Sequence, residues 1–156
     1  MPENIQAIPD NSTGATPYLR IKGAASALEF YKNAFGASEN VRLPMADGAI
    51  GHAEISFGAA RVMLSDEFPG MNIFGPKHWG GTSVAIQIYV WDVDAFVAKA
   101  AAAGCKIIRP PTNEFYGDRT AILEDPFGHV WFFNTHVEDV SHDDMQRRMA
   151  AMNGAA

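Results

Sequence analysis

Residues 24–36 read Ala-Ala-Ser-Ala-Leu-Glu-Phe-Tyr-Lys-Asn-Ala-Phe-Gly, and residues 93–104 read Val-Asp-Ala-Phe-Val-Ala-Lys-Ala-Ala-Ala-Ala-Gly. In the first stretch the apolar positions are Ala24, Ala27, Leu28, Tyr31, Ala34 and Phe35, the i, i+3, i+4, i+7 spacing of one helix face. Val93, Phe96, Val97 and Ala100 repeat that spacing in the second. Gly36 and Gly104 stand where helix C-caps belong, and Asp92 stands at an N-cap position. Two amphipathic helices are therefore expected, their closing glycines 68 residues apart.

The flanks repeat as well. Tyr18-Leu19-Arg20-Ile21-Lys22 alternates with period two ahead of the first helix, and residues 84–90 form an apolar strand ahead of the second. Residues 41–43, 50–57 and 60–65 follow the first helix as strands, the last two turning at Gly58. Residues 106–109, 120–124 and 129–134 follow the second, with a turn at Asp125-Pro126-Phe127-Gly128. Leu19 and Ile21 precede Ile88 and Val90 by 69 positions, and Phe57-Gly58 precedes Phe127-Gly128 by 70. A βαβββ unit thus occurs twice, and the expected class is α+β: two βαβββ modules forming a rolled mixed β-sheet with a cleft, helices on the convex side.

Alternation along the strands sorts the residues into two faces. Leu19, Ile21, Val62, Leu64, Val84, Ile86, Ile88 and Val90 are the expected helix-facing set. The opposite face then carries Tyr18, Arg20, His52, Glu54, Arg61, Met63, Ser65, Gln87, Tyr89, Phe132 and Asn134. Such a mixture of aromatic and polar groups is wrong for a dry core and suits a cleft. The expected organisation is an N-terminal flexible arm at 1–16, a first module at 17–66, a linker at 67–82, a second module at 83–136 and a helical tail at 137–156. Ser141 with Asp144 approximates a capping box for that tail, and Met145, Met149 and Met152 recur at helical spacing.

Composition narrows the partners. Twelve basic against eighteen acidic residues give a net charge of −6 over 156 residues, with no basic cluster, so neither nucleic acid nor an anionic membrane is an expected partner. No apolar run approaches the roughly 20 residues that cross a bilayer. The first residues show neither the basic nor the apolar region of a secretory signal, and the expected location is cytoplasmic. Cys105 is the only cysteine, which excludes an internal disulfide and a cysteine-cluster metal site. Catalytic residues are not identifiable, because no GxSxG elbow, P-loop, GxGxxG or CxxC motif is present.

Three further motifs accompany the repeat: Ala27-Leu28-Glu29-Phe30-Tyr31 leading to Phe35-Gly36-Ala37, then Tyr116-Gly117-Asp118-Arg119, then Asp125-Pro126-Phe127-Gly128-His129-Val130-Trp131. Over residues 17–136 the chain resembles the vicinal oxygen chelate superfamily, the glyoxalase, bleomycin-resistance and extradiol dioxygenase group, in its PhnB-like branch. The resemblance implies a small-molecule protein that commonly pairs modules between chains, hence a homodimer. The superfamily's metalloenzymes hold a divalent ion with one inward His, Gln or Glu from the first and last strand of each module. Here those positions fall at Thr16, Met63, Ala85 and Phe132, a set unsuited to a hard or borderline cation, so no metal cofactor is expected.

Two readings follow. In the leading one, the cleft binds or sequesters an apolar, partly anionic small molecule through Tyr18, Arg20, His52, Glu54, Met63, Gln87, Tyr89, Arg119 and Phe132. In the alternative, a divalent metal at His52 and Glu54, two apart on one strand, serves a lyase, isomerase or dioxygenase. Against that alternative, His52 and Glu54 can simply hydrogen-bond each other or Arg20. Likewise Arg20, Arg61 and Arg119 can hold a ligand anion or pair with Glu54, Glu124 or Asp66. The linker, with Met71, Phe74 and Trp79, can fold over the cleft or form a dimer contact.

Overall fold

A computed structural model describes residues 5–10, 12 and 14–154 of the chain. The remaining residues, 1–4, 11 and 13 of the expected arm and 155–156 of the tail, lie outside the described residues. The order is β1 (Tyr18–Ile21), α1 (Ala24–Phe35), β2 (Ser38–Pro44), β3 (Ile50–Phe57) and β4 (Ala60–Asp66). A 3-10 turn (Pro69–Met71) and the short helix α2 (Pro76–Trp79) follow. The second set is β5 (Ala85–Tyr89), α3 (Val93–Ala102), β6 (Lys106–Asn113), β7 (Asp118–Glu124) and β8 (Val130–His136), with α4 (His142–Gly154) closing the chain.

The strands form two four-stranded sheets with the same topology, β1-β4-β3-β2 and β5-β8-β7-β6. In each, the first strand runs parallel to the last and the other pairs are antiparallel. The sheets do not join into one ladder. Instead the edge of β1 is met by a side chain and a loop: His129 Nε2 donates to the Arg20 carbonyl at 3.1 Å, and a Cβ added at Gly75 would lie 2.4 Å from that same oxygen. Only glycine permits this approach.

The apolar faces behave as alternation predicts in the first module. Ile21, Ile55, Val62 and Leu64 are buried under α1, whose own Ala24, Ala27, Leu28, Tyr31, Ala34 and Phe35 are buried in return. In the second module Ala121, Leu123, Trp131 and Phe133 are buried with Val93, Val97 and Ala100 of α3. One core serves both modules. Tyr31 of α1 donates to Asp125 at 2.6 Å, Trp131 Nε1 donates to the same carboxylate at 2.9 Å, and the Phe35 ring packs on Phe96, Trp131 and Phe133.

Both helices are capped from the end of their module's last strand. Asp66 accepts from the Gly23 and Ala24 amides, and Thr135, 69 residues later, accepts from the Val93 amide. These contacts satisfy amides that a helix start leaves without partners. Asp92 adds the expected N-cap, accepting from Ala95 at 3.0 Å. Gly36 adopts φ 71, the left-handed C-cap.

Three expectations need correction. Val84 is 67% exposed instead of helix-covered, because β5 begins one residue later. Its neighbours Ile86, Ile88 and Val90 are only half-buried. Strand β6 continues through Pro110 and Pro111 to Asn113. Prolines are tolerated there because β6 is an edge strand, with register irregularities on both sides of Arg109. Finally, α4 does form behind Ser141, whose hydroxyl accepts from the Asp144 amide, but it buries no residue and is tied down by polar contacts.

Candidate functional site

On the first sheet the register sets Tyr18 opposite Met63, Glu54 opposite Met63, and Arg20 opposite Ser65, so these side chains share the face turned from α1. They form a connected polar layer. The Tyr18 hydroxyl donates to His52 Nδ1 at 2.8 Å, His52 Nε2 donates to Glu54 at 3.3 Å, and Arg61 pairs with Glu54 at 3.6 Å. Arg20 donates from one Nη to the Ser65 hydroxyl at 2.6 Å, and its guanidinium carbon lies 4.1 Å from the centre of the Tyr18 ring. Stacking of a guanidinium on an aromatic face is attractive and leaves the fork's remaining N–H groups free to donate.

Charge sets Arg20 apart. Of the seven arginines, Arg42, Arg61, Arg109, Arg119, Arg147 and Arg148 each pair with a carboxylate. Among the described residues Arg20 pairs with none, and a neutral hydroxyl and an aromatic ring are its only side-chain partners. A half-buried guanidinium without a counterion is a poor arrangement for the protein alone and a good one for holding an anion.

The second sheet carries the rest of the expected wall on its corresponding face, with Gln87 opposite Phe132 and Tyr89 opposite Asn134. The chemistry there is closed on itself. Tyr89 donates to Asp118 at 2.5 Å, and His136 bridges Asp118 at 2.8 Å and Asp139 at 2.9 Å. The two carboxylates raise the His136 pKa, chiefly through the Asp139 and Asp118 hydrogen bonds, and hydrogen bonding to Asp118 raises that of Tyr89. The residues sequence reasoning missed are here: Asp118 is quoted only as part of a motif, and His136 is not singled out. The available signal was alternation, which puts Asp118, Thr120, Asn134 and His136 on the face that carries Tyr89.

Arg119 does not join this site. It lies on the other face of β7 and grips Asp94 in the first turn of α3 with two bonds of 2.6 and 2.7 Å. A one-residue step along a strand reverses direction, and the negative residue at a helix start is a natural partner. Nor are the two polar faces brought into hydrogen-bonding contact, since no bond joins Tyr18, Arg20, His52 or Glu54 to Gln87 or Tyr89. Among the described residues no three His, Cys, Asp or Glu side chains gather about one point where an ion could sit. His52 already engages both ring nitrogens. Cys105 is buried, which pushes its thiol to a pKa of about 12 and makes it inert as a nucleophile or ligand.

Between the sheets, beside Tyr18 and Arg20, lies a cavity of about 370 Å³. Its remaining wall comes from linker residues including Phe74, Pro76 and Trp79, from Val84 and Ile86, and from His129 and Val130 of the second module. Burial lowers the His129 pKa, keeping the imidazole neutral while Nε2 donates to the Arg20 carbonyl.

Two βαβββ modules of the same topology, each with a polar face turned from its helix, define the class of the protein by fold. Residues 15–133 match the model of the Glyoxalase/Bleomycin resistance protein/Dioxygenase superfamily, and the chain belongs to that family. A Mycobacterium tuberculosis protein described as uncharacterized is 37% identical over 139 residues, spanning 87% of this chain and 82% of its own. The crystal structure of TioX from Micromonospora sp. ML1 superposes with a TM-score of 0.62 at 25% identity, covering 83% of this chain and all of the other. The PhnB protein of Bacillus cereus, described as a putative 3-demethylubiquinone-9 3-methyltransferase, shares the fold with a TM-score of 0.63 at 16% identity, over 79% of this chain and 99% of its own.

Proposed function

We propose that this chain binds a small organic molecule bearing a negative charge, held at the polar face of the first sheet by Arg20, and that it does so without the metal centre of the superfamily. The observation that carries this reading is the guanidinium of Arg20, the one arginine among the described residues without a carboxylate. The family's ion positions give further support. They supply a thioether at Met63, a ring at Phe132, a methyl at Ala85 and one hydroxyl at Thr16, a donor set that does not fit a dehydrated divalent cation. Tyr18, His52, Glu54 and Met63 complete the binding face, and the hydrogen bonds from Tyr18 to His52 and from His52 to Glu54 hold those three ready before a ligand arrives. Gln87, Tyr89 and Phe132 join the same reading through a second copy of the chain, since within one chain no hydrogen bond links them to Tyr18, Arg20, His52 or Glu54. Exposed Tyr89 and fully exposed Trp91 at the end of β5 support such a homodimer, which sedimentation analysis tests.

The experiment is a thermal-shift screen of small organic acids and their neutral amides on chelator-treated protein, followed by calorimetric titration of the hits. Acids are expected to raise the melting temperature and the amides to do so much less. Arg20→Ala should weaken binding by about 1.5 to 3 kcal/mol, the worth of a hydrogen bond to a charged group. Glu29→Gln, on the outer face of α1 where the carboxylate pairs with Lys32 and Arg42, should leave it unchanged. Equal shifts from acids and amides, equal effects of the two substitutions, or binding that returns only with added metal would overturn the proposal.

A further inference from the structure

The anion reading says what holds the charged end of a ligand; the cavity between the sheets bears on the rest of it. Three observations meet there. The volume of about 370 Å³ lies near the lower end of the roughly 300 to 1,000 Å³ typical of small-molecule pockets, so the occupant is compact. The wall is dominated by Phe74, Pro76, Trp79, Val84, Ile86 and Val130, which reward burial of hydrocarbon and offer a polar ligand nothing. Tyr18 and Arg20 belong to the same wall, and Arg20 is the arginine that, among the described residues, pairs with no carboxylate.

We infer that this cavity is the binding site for a compact apolar monocarboxylate, its hydrocarbon body lodged between the linker and β5 and its carboxylate on Arg20. The inference rests on the anion reading and adds the place and the class. A single guanidinium, already giving one Nη to Ser65, balances one negative charge and matches the planar fork of a carboxylate. A phosphate monoester, with up to two charges and three acceptor oxygens, would leave charge uncompensated against apolar walls. The linker is part of the site. Phe74 stacks on His78 with ring centres 3.7 Å apart, Trp79 packs edge-on to both, and Phe74 and Trp79 of this cluster line one side of the cavity.

The test uses the full chain and calorimetric titration with 2-naphthoate, 3-phenylpropionate and cyclohexanecarboxylate, each beside its primary amide, and with phenyl phosphate. At least one carboxylate is expected to bind, with its amide and phenyl phosphate about tenfold weaker or worse. Val84 and Thr82 stand on the exposed rim, so Val84→Trp and Thr82→Trp can plug the cavity without disturbing the core. Each should lower carboxylate affinity about tenfold or more while circular dichroism and melting temperature stay as in the parent. Carboxylate binding that Arg20→Ala removes but neither plug affects would overturn the cavity assignment and leave the anion reading standing. Tighter binding of phenyl phosphate would overturn the ligand class. Absence of binding by every carboxylate, or equal binding of the amides, would overturn both.

Discussion

The two modules are built on one pattern and end with opposite electrostatic outcomes. Arg20 and Tyr89 occupy equivalent places, 69 residues apart, each on the first strand of its sheet and each opposite a polar residue of the last strand, Ser65 or Asn134. In the first module the cation meets only a hydroxyl and a ring. In the second, the phenol finds Asp118, which is buried and holds His136 as well. The second module is also partly roofed by its own continuation: Val137 and Glu138 amides donate to the Gly117 carbonyl, and Arg148 of α4 grips Glu138 and the Phe115 carbonyl. Duplication set the frame, and the side chain chosen at one position decides which face is left with an unbalanced charge. That face is where the proposed ligand would sit.

The largest expected effect tests whether the two modules are energetically one body. Trp131 is fully buried, bonds Asp125, and touches Tyr31, Phe35 and Phe57 of the first module. Trp131→Ala should cost about 3 to 5 kcal/mol in chemical denaturation, the usual price of deleting a large buried aromatic. A single cooperative transition shifted by that amount supports the shared core. Separate transitions for the two halves would show that the modules fold independently.

Next in size is the contrast between the polar faces. Arg20→Ala should abolish most acid binding and change folding stability little, because no carboxylate is left unpaired by the substitution. Tyr89→Phe should do the reverse. It removes a donor from buried Asp118, costing about 1 to 3 kcal/mol of stability, and keeps most acid binding because Arg20 and the ring at residue 89 both remain. If the two substitutions act alike on either readout, the division between an open face and a closed one fails.

Much of this was legible in the sequence because it depends on period and spacing. The helices at 24–35 and 93–102, the strand faces and the cap at Asp92 all follow from local pattern, and local pattern is what a sequence displays directly. That Tyr18, Arg20, His52, Glu54 and Met63 share one face of the first sheet follows from alternation alone, and the register agrees. Partners are another matter. That Arg119 takes Asp94, that Arg61 takes Glu54 and that Arg20 takes no carboxylate depends on distances across strands and helices that no spacing rule contains. The same is true of the His129 bond to the Arg20 carbonyl, made between residues 109 apart. Edge strands also misled, since β2 with Ser38, Glu39 and Asn40, and β6 with its two prolines, need only one paired side and show little of the usual strand composition.

The smallest expected effect sharpens the closed face by its pH dependence. His136 donates to Asp118 through Nδ1 and to Asp139 through Nε2, an arrangement that requires both ring nitrogens protonated, and its folded pKa is accordingly raised. A pKa higher in the folded than in the unfolded chain means that the folded state holds the proton more tightly. The stabilisation is therefore complete below the unfolded value of about 6.5 and is lost as pH rises through the higher folded value. His136→Gln removes the titration while keeping a polar side chain. The stability difference between parent and variant should be greatest at mildly acidic pH and shrink toward alkaline pH, measured by denaturation across the range. A difference for His136→Gln that is flat with pH, or that grows as pH rises, would mean that the bridge to Asp118 and Asp139 does not form in solution and that the second face is as open as the first.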